Sequence, residues 1–374
     1  MKVCIISPSA KKRETCGIKD YTLILTKYLS TYKIKTLIFT EIEQEKHLSK
    51  ISSEKILFVS LKKLNIFLYK RPRCKILHIQ YHNNLYKRNL YLFLLPLICR
   101  LKNIKLLTTF HNLYGKSIIS KLCMIILILF SNRCILTSRE DISALTKVSP
   151  LFKNKLDFIP VLPNIPYIPI DKNVARQEIF KRHHLPSDTI LLSYFGFFCW
   201  GKGLPTIFKA IRILKNKDYK VKILLIGDQK KEFQNFQNYL KTLALKLNIE
   251  DSLIWTGFLE SQDLALHLTA SDIYVVPYDT GLSTCRGTFL VGFLYRLPVI
   301  STFPQVEYKE FIHKQNIYLI SPKNAWELAH AIIEISKNPF LKNKLSSEAN
   351  KIIKKFNWEN VAREHLKIYK NLTR

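Results

Sequence analysis

The chain has 374 residues, of which 47% are hydrophobic and 23% are charged, and its formal net charge is +31. This length is too great for one ordinary domain and suits two, and the hydrophobic content excludes a chain that is disordered throughout. The eight cysteines are scattered, without a CxxC motif or a Cys/His cluster. Their spacing excludes a zinc framework and indicates reduced thiols.

The positive charge is concentrated in the first part of the chain. Residues 1–165 contain 29 basic and 9 acidic residues, a net charge of +20, with Lys/Arg clusters at 11–13, 70–75 and 87–88. A basic surface favours polyanions, either nucleic acid or an anionic membrane face, and a compositional bias toward lysine is the alternative. The opening residues do not form a secretory signal pattern. We therefore expect an unexported, cytoplasmic protein, with the inner face of the plasma membrane as a candidate docking surface.

Short β-branched runs alternate with helical patterns in the first half. The predicted strands lie at 2–7, 35–40, 55–60, 75–81, 105–111 and 134–138. Their nearly continuous hydrophobicity is typical of parallel strands that are covered on both faces. The apolar runs at 90–99 and 118–130 are shorter than the roughly 20 residues of a membrane-spanning helix. We predict buried helices for these runs, and partial insertion at a membrane surface is the alternative.

A proline-rich segment divides the chain. In residues 159–173, "IPVLPNIPYIPIDKN", proline occurs at every third position from 160 to 169, which predicts a stiff linker. A second series of strands is predicted at 190–196, 221–228, 252–257, 272–278, 298–302 and 316–321. The fold class is therefore α/β, with two doubly wound, Rossmann-like domains. Ligands of such sheets bind beyond the carboxyl ends of the strands, so we expect a site in a cleft between the domains.

Two cations and a glycine follow predicted strands at helix starts. Gly17 opens a helical pattern and would allow close approach of a phosphate, although a plain loop glycine is the alternative because no GxGxxG motif is present. Lys202, between two glycines after the strand that ends at Gly196, could contact a diphosphate or could be a solvated loop lysine. Arg286, near a predicted helix start, could neutralise a leaving diphosphate or form a surface salt bridge.

Histidines lie near the ends of two predicted strands in the first half. His111 ends "LLTTFH" and His82 ends "HIQYH", and both are expected to face the cleft. His78 begins the second motif and is more readily interpreted as a structural residue. We therefore select His111 as the functional candidate.

The order of the motifs resembles a known family. "CGIKDYT", "HIQYH", "TTFH" and "TSRED" are followed by "FGFFCWGKG", "LLIGD", "TGFLE", "ASDIYVVPY" and "RLPVIST". Together they resemble the retaining, nucleotide-sugar-dependent glycosyltransferases of the GT-B fold, in the family related to sucrose and mannosyl transferases. The end of the chain, "FNWENVAREHLKIYKN", is similar to the closing helix of that family. The resemblance implies a domain of residues 1–165 joined by a helix at about 357–374, and a nucleotide-sugar-binding domain of residues 166–356.

The chain departs from the family at its carboxylates. The family usually has two glutamates eight residues apart, and Ser283 and Val291 occupy these places here. The family's arginine that partners the lysine is replaced within "GFFCW", and Arg296 stands where glycine is usual. "DTGLSTCRGTFL" instead resembles a subgroup pattern with Gly281, Ser283, Arg286 and Gly287, although Cys285 replaces its first arginine.

The resemblance implies transfer of a sugar, with retention, from a nucleoside diphosphate sugar to a saccharide or lipid-linked acceptor in cell-surface polysaccharide or glycolipid synthesis. The implied catalytic residues are His111, Asp279 and Ser283. The implied donor-binding residues are Gly17, Gly196, Lys202, Gly257, Gly281, Arg286 and Gly287. No Asp-x-Asp motif is present, so no metal is expected, and no cofactor is expected beyond the donor. A nucleotide-sugar epimerase, a catalytically dead scaffold and a basic nucleic-acid-binding protein are the alternatives; the last lacks a recognisable binding motif, and no nucleic acid is expected.

Overall fold

The computed structural model describes residues 1–8, 16–40, 58–60, 74–82, 91–113, 118–227 and 231–374. These residues form two compact units, the first comprising Met1–Asn164 with Phe356–Arg374 and the second comprising Ile165–Lys355. Some of the segments discussed above lie outside the described residues. They are the basic clusters at 11–13 and 87–88, residues 70–73 of the cluster at 70–75, and residues 55–57 of the strand predicted at 55–60.

The first unit contains a seven-stranded parallel sheet in the order β3-β2-β1-β4-β5-β6-β7. Its strands are β1 Lys2–Ile6, β2 Lys35–Thr40, β3 Phe58–Ser60, β4 Ile76–Tyr81, β5 Lys105–Phe110, β6 Arg133–Leu136 and β7 Leu156–Phe158. The six predicted strand positions are confirmed where they are described. Strand β7 was not predicted, because three half-buried residues at a sheet edge give too short a hydrophobic pattern.

The second unit contains a six-stranded parallel sheet in the order β10-β9-β8-β11-β12-β13. Its strands are β8 Ile190–Phe195, β9 Val221–Ile226, β10 Leu253–Gly257, β11 Ile273–Val276, β12 Val299–Thr302 and β13 Tyr318–Ile320. All six were predicted. The strand order reverses between β8 and β11, and in the first unit between β1 and β4. This reversal defines a doubly wound sheet, so the predicted fold class is confirmed.

The described helices connect and cover these strands. In chain order they are α1 Gly17–Thr31, α2 Tyr91–Leu101, α3 Ile118–Phe130, α4 Arg139–Val148, α5 Lys172–Arg182, α6 Leu204–Lys215, α7 Gln234–Leu247, α8 Ser261–Ala270, α9 Leu290–Leu294, α10 Ala325–Lys337, α11 Pro339–Lys355 and α12 Trp358–Thr373. Helix α1 buries Tyr21, Leu25 and Leu29, the apolar positions of its predicted helical pattern. The closing helix α12 packs on α1 and β4 within the first unit.

The expectation that α2 and α3 are buried is wrong for one face of each helix. Leu92 and Leu127 are buried in the core, whereas Leu97 and Leu122 are more than half exposed. A helix in the outer layer of an α/β unit buries only the face that meets the sheet, and these helices are apolar on their other face as well. Across the described ranges, every helix is too short or too polar to cross a membrane.

Candidate functional site

Three glycines bring bare backbone to the carboxyl edge of the second sheet. The Gly196 amide donates to the Ile226 carbonyl at 3.0 Å, and the Gly227 amide donates to the Gly257 carbonyl at 3.1 Å. A Cβ atom on Gly227 would lie 2.1 Å from the Gly196 carbonyl oxygen, so only glycine fits there. The ends of β8, β9 and β10 therefore lie side by side without side chains. Gly227, which was not among the predicted site residues, is recognisable only by its place at the end of a buried strand.

The loop that carries Lys202 is pressed against the loop that follows β11. Gly203, the N-cap of α6, has φ +77°. A Cβ atom there would lie 1.8 Å from the Pro277 carbonyl oxygen, so a side chain would break this approach. A second link is the hydrogen bond that the Asp279 amide donates to the Gly201 carbonyl at 3.2 Å. The two loops flank the reversal between β8 and β11, where ligands of doubly wound sheets bind.

The ring of Tyr278 lies close to two cations of these loops, Lys202 and Arg286. Its ring centroid lies 5.4 Å from Lys202 Nζ and 4.4 Å from Arg286 Cζ. The ring is fixed by a hydrogen bond of 3.0 Å between its hydroxyl and Thr288 Oγ1, and its carbonyl accepts from Thr302 Oγ1 at 2.8 Å. Burial raises the pKa of Tyr278 to about 12, so its hydroxyl stays neutral beside the cations. Tyr278 was not among the predicted site residues, because its role depends on the direction in which the ring points.

The two cations leave this part of the unit electropositive. Burial, and secondarily the charge of Arg286, lower the pKa of Lys202. Among the described residues, neither Lys202 nor Arg286 forms an ion pair with a carboxylate. The Arg286 guanidinium instead donates to Thr280 Oγ1 at 3.0 Å and to the Gly281 carbonyl at 3.4 Å. Such a pair of cations suits an anionic ligand.

The helix that follows Arg286 is short. Arg286 precedes one 3-10 turn, Gly287–Phe289, and the five-residue helix α9. A helix dipole can therefore contribute little beside the charge of Arg286 itself, because few aligned peptide groups follow. Gly281, which has φ +90°, is required upstream, since a Cβ atom would lie 2.6 Å from the Phe303 carbonyl oxygen.

The positions of the family's two glutamates contain no acid. Val291 is buried in α9 and cannot bind a ribose hydroxyl. Ser283 Oγ lies 3.3 Å from Cys285 Sγ, within the same loop as Arg286. Asp279 is half-buried and is anchored through its backbone amide. The loop after β11 thus carries Asp279 and Ser283 in the same segment as Arg286.

His111, in the first unit, belongs to a buried chain of hydrogen bonds. Its Nε2 lies 2.8 Å from Gln80 Oε1, Gln80 Nε2 lies 3.3 Å from His78 Nε2, and His78 Nδ1 lies 2.8 Å from the Tyr369 hydroxyl. Because the Gln80 carbonyl only accepts, we assign the proton of His111 to Nε2, which leaves Nδ1 able to accept a hydrogen bond.

Burial keeps His111 neutral. The side chain is 7% exposed, and burial, with smaller effects of His82 and His365, lowers its pKa to about 3. His78 is fully buried and bonded through both ring nitrogens, in agreement with its interpretation as a structural residue. Gly17 begins α1 and is exposed, with no atom within 4 Å of an ideal Cβ, so packing does not require glycine there.

The second unit is similar to a known protein family. Residues 175–352 match the family described as glycosyl transferases group 1. The chain is similar to an uncharacterized glycosyltransferase of Methanocaldococcus jannaschii, with 22% identity over 232 residues, which cover 60% of this chain and 57% of that relative.

Two solved structures extend the similarity over the whole chain. A glycosyltransferase from Rickettsia africae has a TM-score of 0.78 at 18% identity, covering 100% of this chain and 98% of its own. HepE from Anabaena, solved in complex with UDP and glucose, also has a TM-score of 0.78, at 14% identity, covering 99% of this chain and 100% of its own.

The fold is that of the GT-B glycosyltransferases, and the second unit contains a group 1 glycosyl transferase domain. The predicted resemblance is thereby confirmed for the fold, and the family match supports it over residues 175–352. Retention, and a subgroup defined by the absence of the paired glutamates, stay predictions.

Proposed function

We propose that this chain is a glycosyltransferase that binds a nucleoside diphosphate sugar in its second unit. The observation that carries the proposal is that Lys202 and Arg286 both lie against the ring of Tyr278, next to the point where the strand order of the sheet reverses. Cations in a partly buried site, without carboxylate partners among the described residues, suit an anionic leaving group. The HepE structure contains UDP and glucose, so uridine donors are the first to test.

The reaction requires cleavage of the bond between the anomeric carbon and the donor phosphate, and formation of a bond to the acceptor oxygen. Lys202 and Arg286 would neutralise the charge that develops on the departing diphosphate, which lowers the barrier. Gly196, Gly227 and Gly257 would allow the donor to approach the backbone closely. Asp279 and Ser283 are the candidates for contact with the sugar.

Retention of anomeric configuration, without a metal, is part of the proposal. A same-face reaction, in which the leaving phosphate takes the proton of the acceptor hydroxyl, needs no carboxylate from the protein. That requirement suits a loop whose glutamate positions contain Ser283 and Val291. His111, neutral and with Nδ1 available as an acceptor, is the candidate to orient the sugar or the acceptor.

The proposed acceptor is a saccharide or a lipid-linked saccharide, in cell-surface polysaccharide or glycolipid synthesis. Reversible association of the first unit with an anionic membrane would bring a lipid-linked acceptor within reach. The net charge of +20 in residues 1–165 supports this association.

A donor-binding protein without catalysis is the second candidate. The observation that favours it is the burial of Val291, because an apolar side chain replaces a carboxylate that the family uses. Such a protein would keep the two cations and would bind a nucleotide sugar without transferring it.

The decisive experiment is a thermal-shift screen against UDP-, GDP-, ADP- and TDP-sugars, followed by turnover of the stabilising donor. A stabilising donor that is consumed supports the enzyme, and the anomeric configuration of the product, read by NMR with and without a chelator, tests retention and metal independence. Stabilisation without any turnover would support the non-catalytic candidate. No stabilisation by any nucleotide sugar would refute both.

A further inference from the structure

Helices α2 and α3 each expose an apolar stripe. Leu94, Leu97 and Leu101 on α2 and Leu122, Ile125 and Leu129 on α3 follow the same spacing of three and four residues, which places each set on one face of its helix. Phe130 extends the second stripe. The exposed fractions of these side chains range from 45% for Ile125 to 76% for Leu101. These seven residues are called the α2–α3 face.

The two stripes lie on the same side of the first unit. Helix α2 connects β4 to β5 and α3 connects β5 to β6, and these three strands are sheet neighbours in that order. Right-handed crossovers that advance in one direction place their helices on the same face of the sheet. The two helices also contact each other. Their outward stripes therefore form one surface.

The α2–α3 face contains no acid and has a basic rim. Neither Tyr91–Leu101 nor Ile118–Phe130 contains Asp or Glu. Arg100, Lys102 and Lys121 are exposed on or beside the two helices. Lys155 Nζ donates to the Leu129 carbonyl at 2.9 Å, which places a further cation at the end of α3.

The surface extends beyond α3 through the segment that contains Lys155. The 3-10 segment Pro150–Lys155 includes Leu151, which is 85% exposed, and exposed Lys153. Apolar side chains with cations around them are thus repeated next to α3. A bilayer interface with anionic lipid offers a partner for both kinds of group at once, whereas an acidic protein partner would leave the leucines in water.

Exposed apolar residues of the second unit do not form such a surface. Trp200 packs on Tyr239 of α7, with ring centroids 5.2 Å apart, and the others lie on several helices and loops. The set is Tyr167, Val174, Trp200, Tyr239, Leu245, Phe258, Phe303, Ile312, Trp326 and Phe340. Single exposed apolar side chains are ordinary, and a joined group of seven on two neighbouring helices is not. The α2–α3 face therefore requires a partner of its own.

We propose that the α2–α3 face docks the first unit on an anionic bilayer. The leucine stripes enter the headgroup region with both helices parallel to the surface, and Arg100, Lys102 and Lys121 contact lipid phosphates. Helices of 11 and 13 residues are too short to span, so they lie in the interface. This inference rests on the membrane association included in the proposed function, and it adds the surface and the mode of contact.

Flotation with phosphatidylcholine vesicles, with and without phosphatidylglycerol, tests the docking surface. The full-length wild type should float with the anionic vesicles. The double variant Leu97→Ser/Ile125→Ser should bind at least roughly tenfold more weakly, because two inserted side chains are lost. Leu97 is 57% exposed and Ile125 is 45% exposed, so the variant should lose little of the wild-type melting temperature. The matched control Trp326→Ser/Phe340→Ser, with exposed apolar residues of the second unit, should float like the wild type.

A fluorescence measurement tests the insertion itself. Leu97→Trp should show a blue shift on addition of anionic vesicles, because the indole moves from water into the headgroup region. Leu245→Trp, at an exposed site of the second unit, should show no shift beyond that of the wild type.

Three results would overturn the inference. The first is a wild type that does not float with anionic vesicles, and the second is equal flotation of Leu97→Ser/Ile125→Ser and the wild type. The third is a sedimentation experiment in which the wild type is a dimer and that variant is a monomer, while neither protein binds vesicles. The last result would assign the face to a second copy of the chain. Donor binding, measured on the same proteins by thermal shift, reports separately on the proposed function. A chain that floats as expected but binds no nucleotide sugar would refute that function and leave the docking surface in place.

Discussion

The guanidinium of Arg286 lies over the ring of Tyr278, with Cζ 4.4 Å from the ring centroid, and Lys202 Nζ approaches the same ring at 5.4 Å. The negative face of an aromatic ring attracts cations, so the ring partly offsets the repulsion between these two. The cations come from loops on either side of the strand reversal. They are therefore held together before any anion binds.

Removing either cation should weaken donor binding. A charge-assisted hydrogen bond contributes about 1.5–3 kcal/mol, so Lys202→Met and Arg286→Met should each raise the Kd of the donor at least roughly tenfold. Isothermal titration with UDP and UDP-sugars provides the measurement. Lys209→Met, which removes an exposed lysine on α6, is the control and should bind like the wild type. Wild-type affinity in both site variants would show that the diphosphate binds elsewhere.

Donor affinity should fall as the pH rises. The pKa of Lys202 is lowered from 10.5 by burial, so the lysine loses its charge at a lower pH than an exposed lysine. Donor affinity should be full below that lowered pKa and decline above it, and Lys202→Met should flatten this part of the pH profile.

The stability of the protein without donor should change with pH in the opposite direction. The lysine of the unfolded chain holds its proton more tightly, so the contribution of Lys202 to the free energy of unfolding rises with pH between the two pKa values. An unchanged profile in the variant would contradict this assignment.

Two neighbouring glycines should differ in their tolerance of alanine. Both Gly201 and Gly203 have positive φ, +84° and +77°, so alanine costs about 1–2 kcal/mol of backbone strain at either position. At Gly203 the new Cβ would also collide with the Pro277 carbonyl oxygen, whereas at Gly201 nothing lies within 4 Å. Gly203→Ala should therefore lower the free energy of unfolding more than Gly201→Ala, as measured by urea denaturation. Equal losses would show that the loops are not pressed together there.

His111 should affect transfer more than nucleotide binding. His111→Asn removes the ring and keeps a donor near Gln80, so the buried network should survive. We expect kcat to fall by at least roughly tenfold, in the range of a lost positioning interaction, with little change in the Kd of UDP. His330→Ala, at a largely exposed histidine of the second unit, is the control. A loss confined to nucleotide affinity, or a destabilised fold, would make His111 a structural residue.

The local pattern of the sequence determined the strands and the kinds of residue at their ends. The β-branched runs predicted twelve strands, because parallel strands are apolar on both faces. Among the strands in the described residues, only the short edge strand β7 was not predicted. Lys202, Arg286 and His111 were selected for the same reason, since each follows a buried strand or begins the next element.

The tertiary structure decided which of these residues meet. Lys202 and Arg286 lie together because β8 pairs with β11, a strand that is not next in sequence, and no local pattern encodes that pairing. Tyr278 contacts both cations because its ring points toward them. His111 is neutral because segments that are distant in sequence bury it. Composition alone indicated that α2 and α3 are apolar. Their position in the fold decided that one face of each helix contacts the sheet and the other contacts solvent. A helix in the outer layer of the unit has the sheet on one side only.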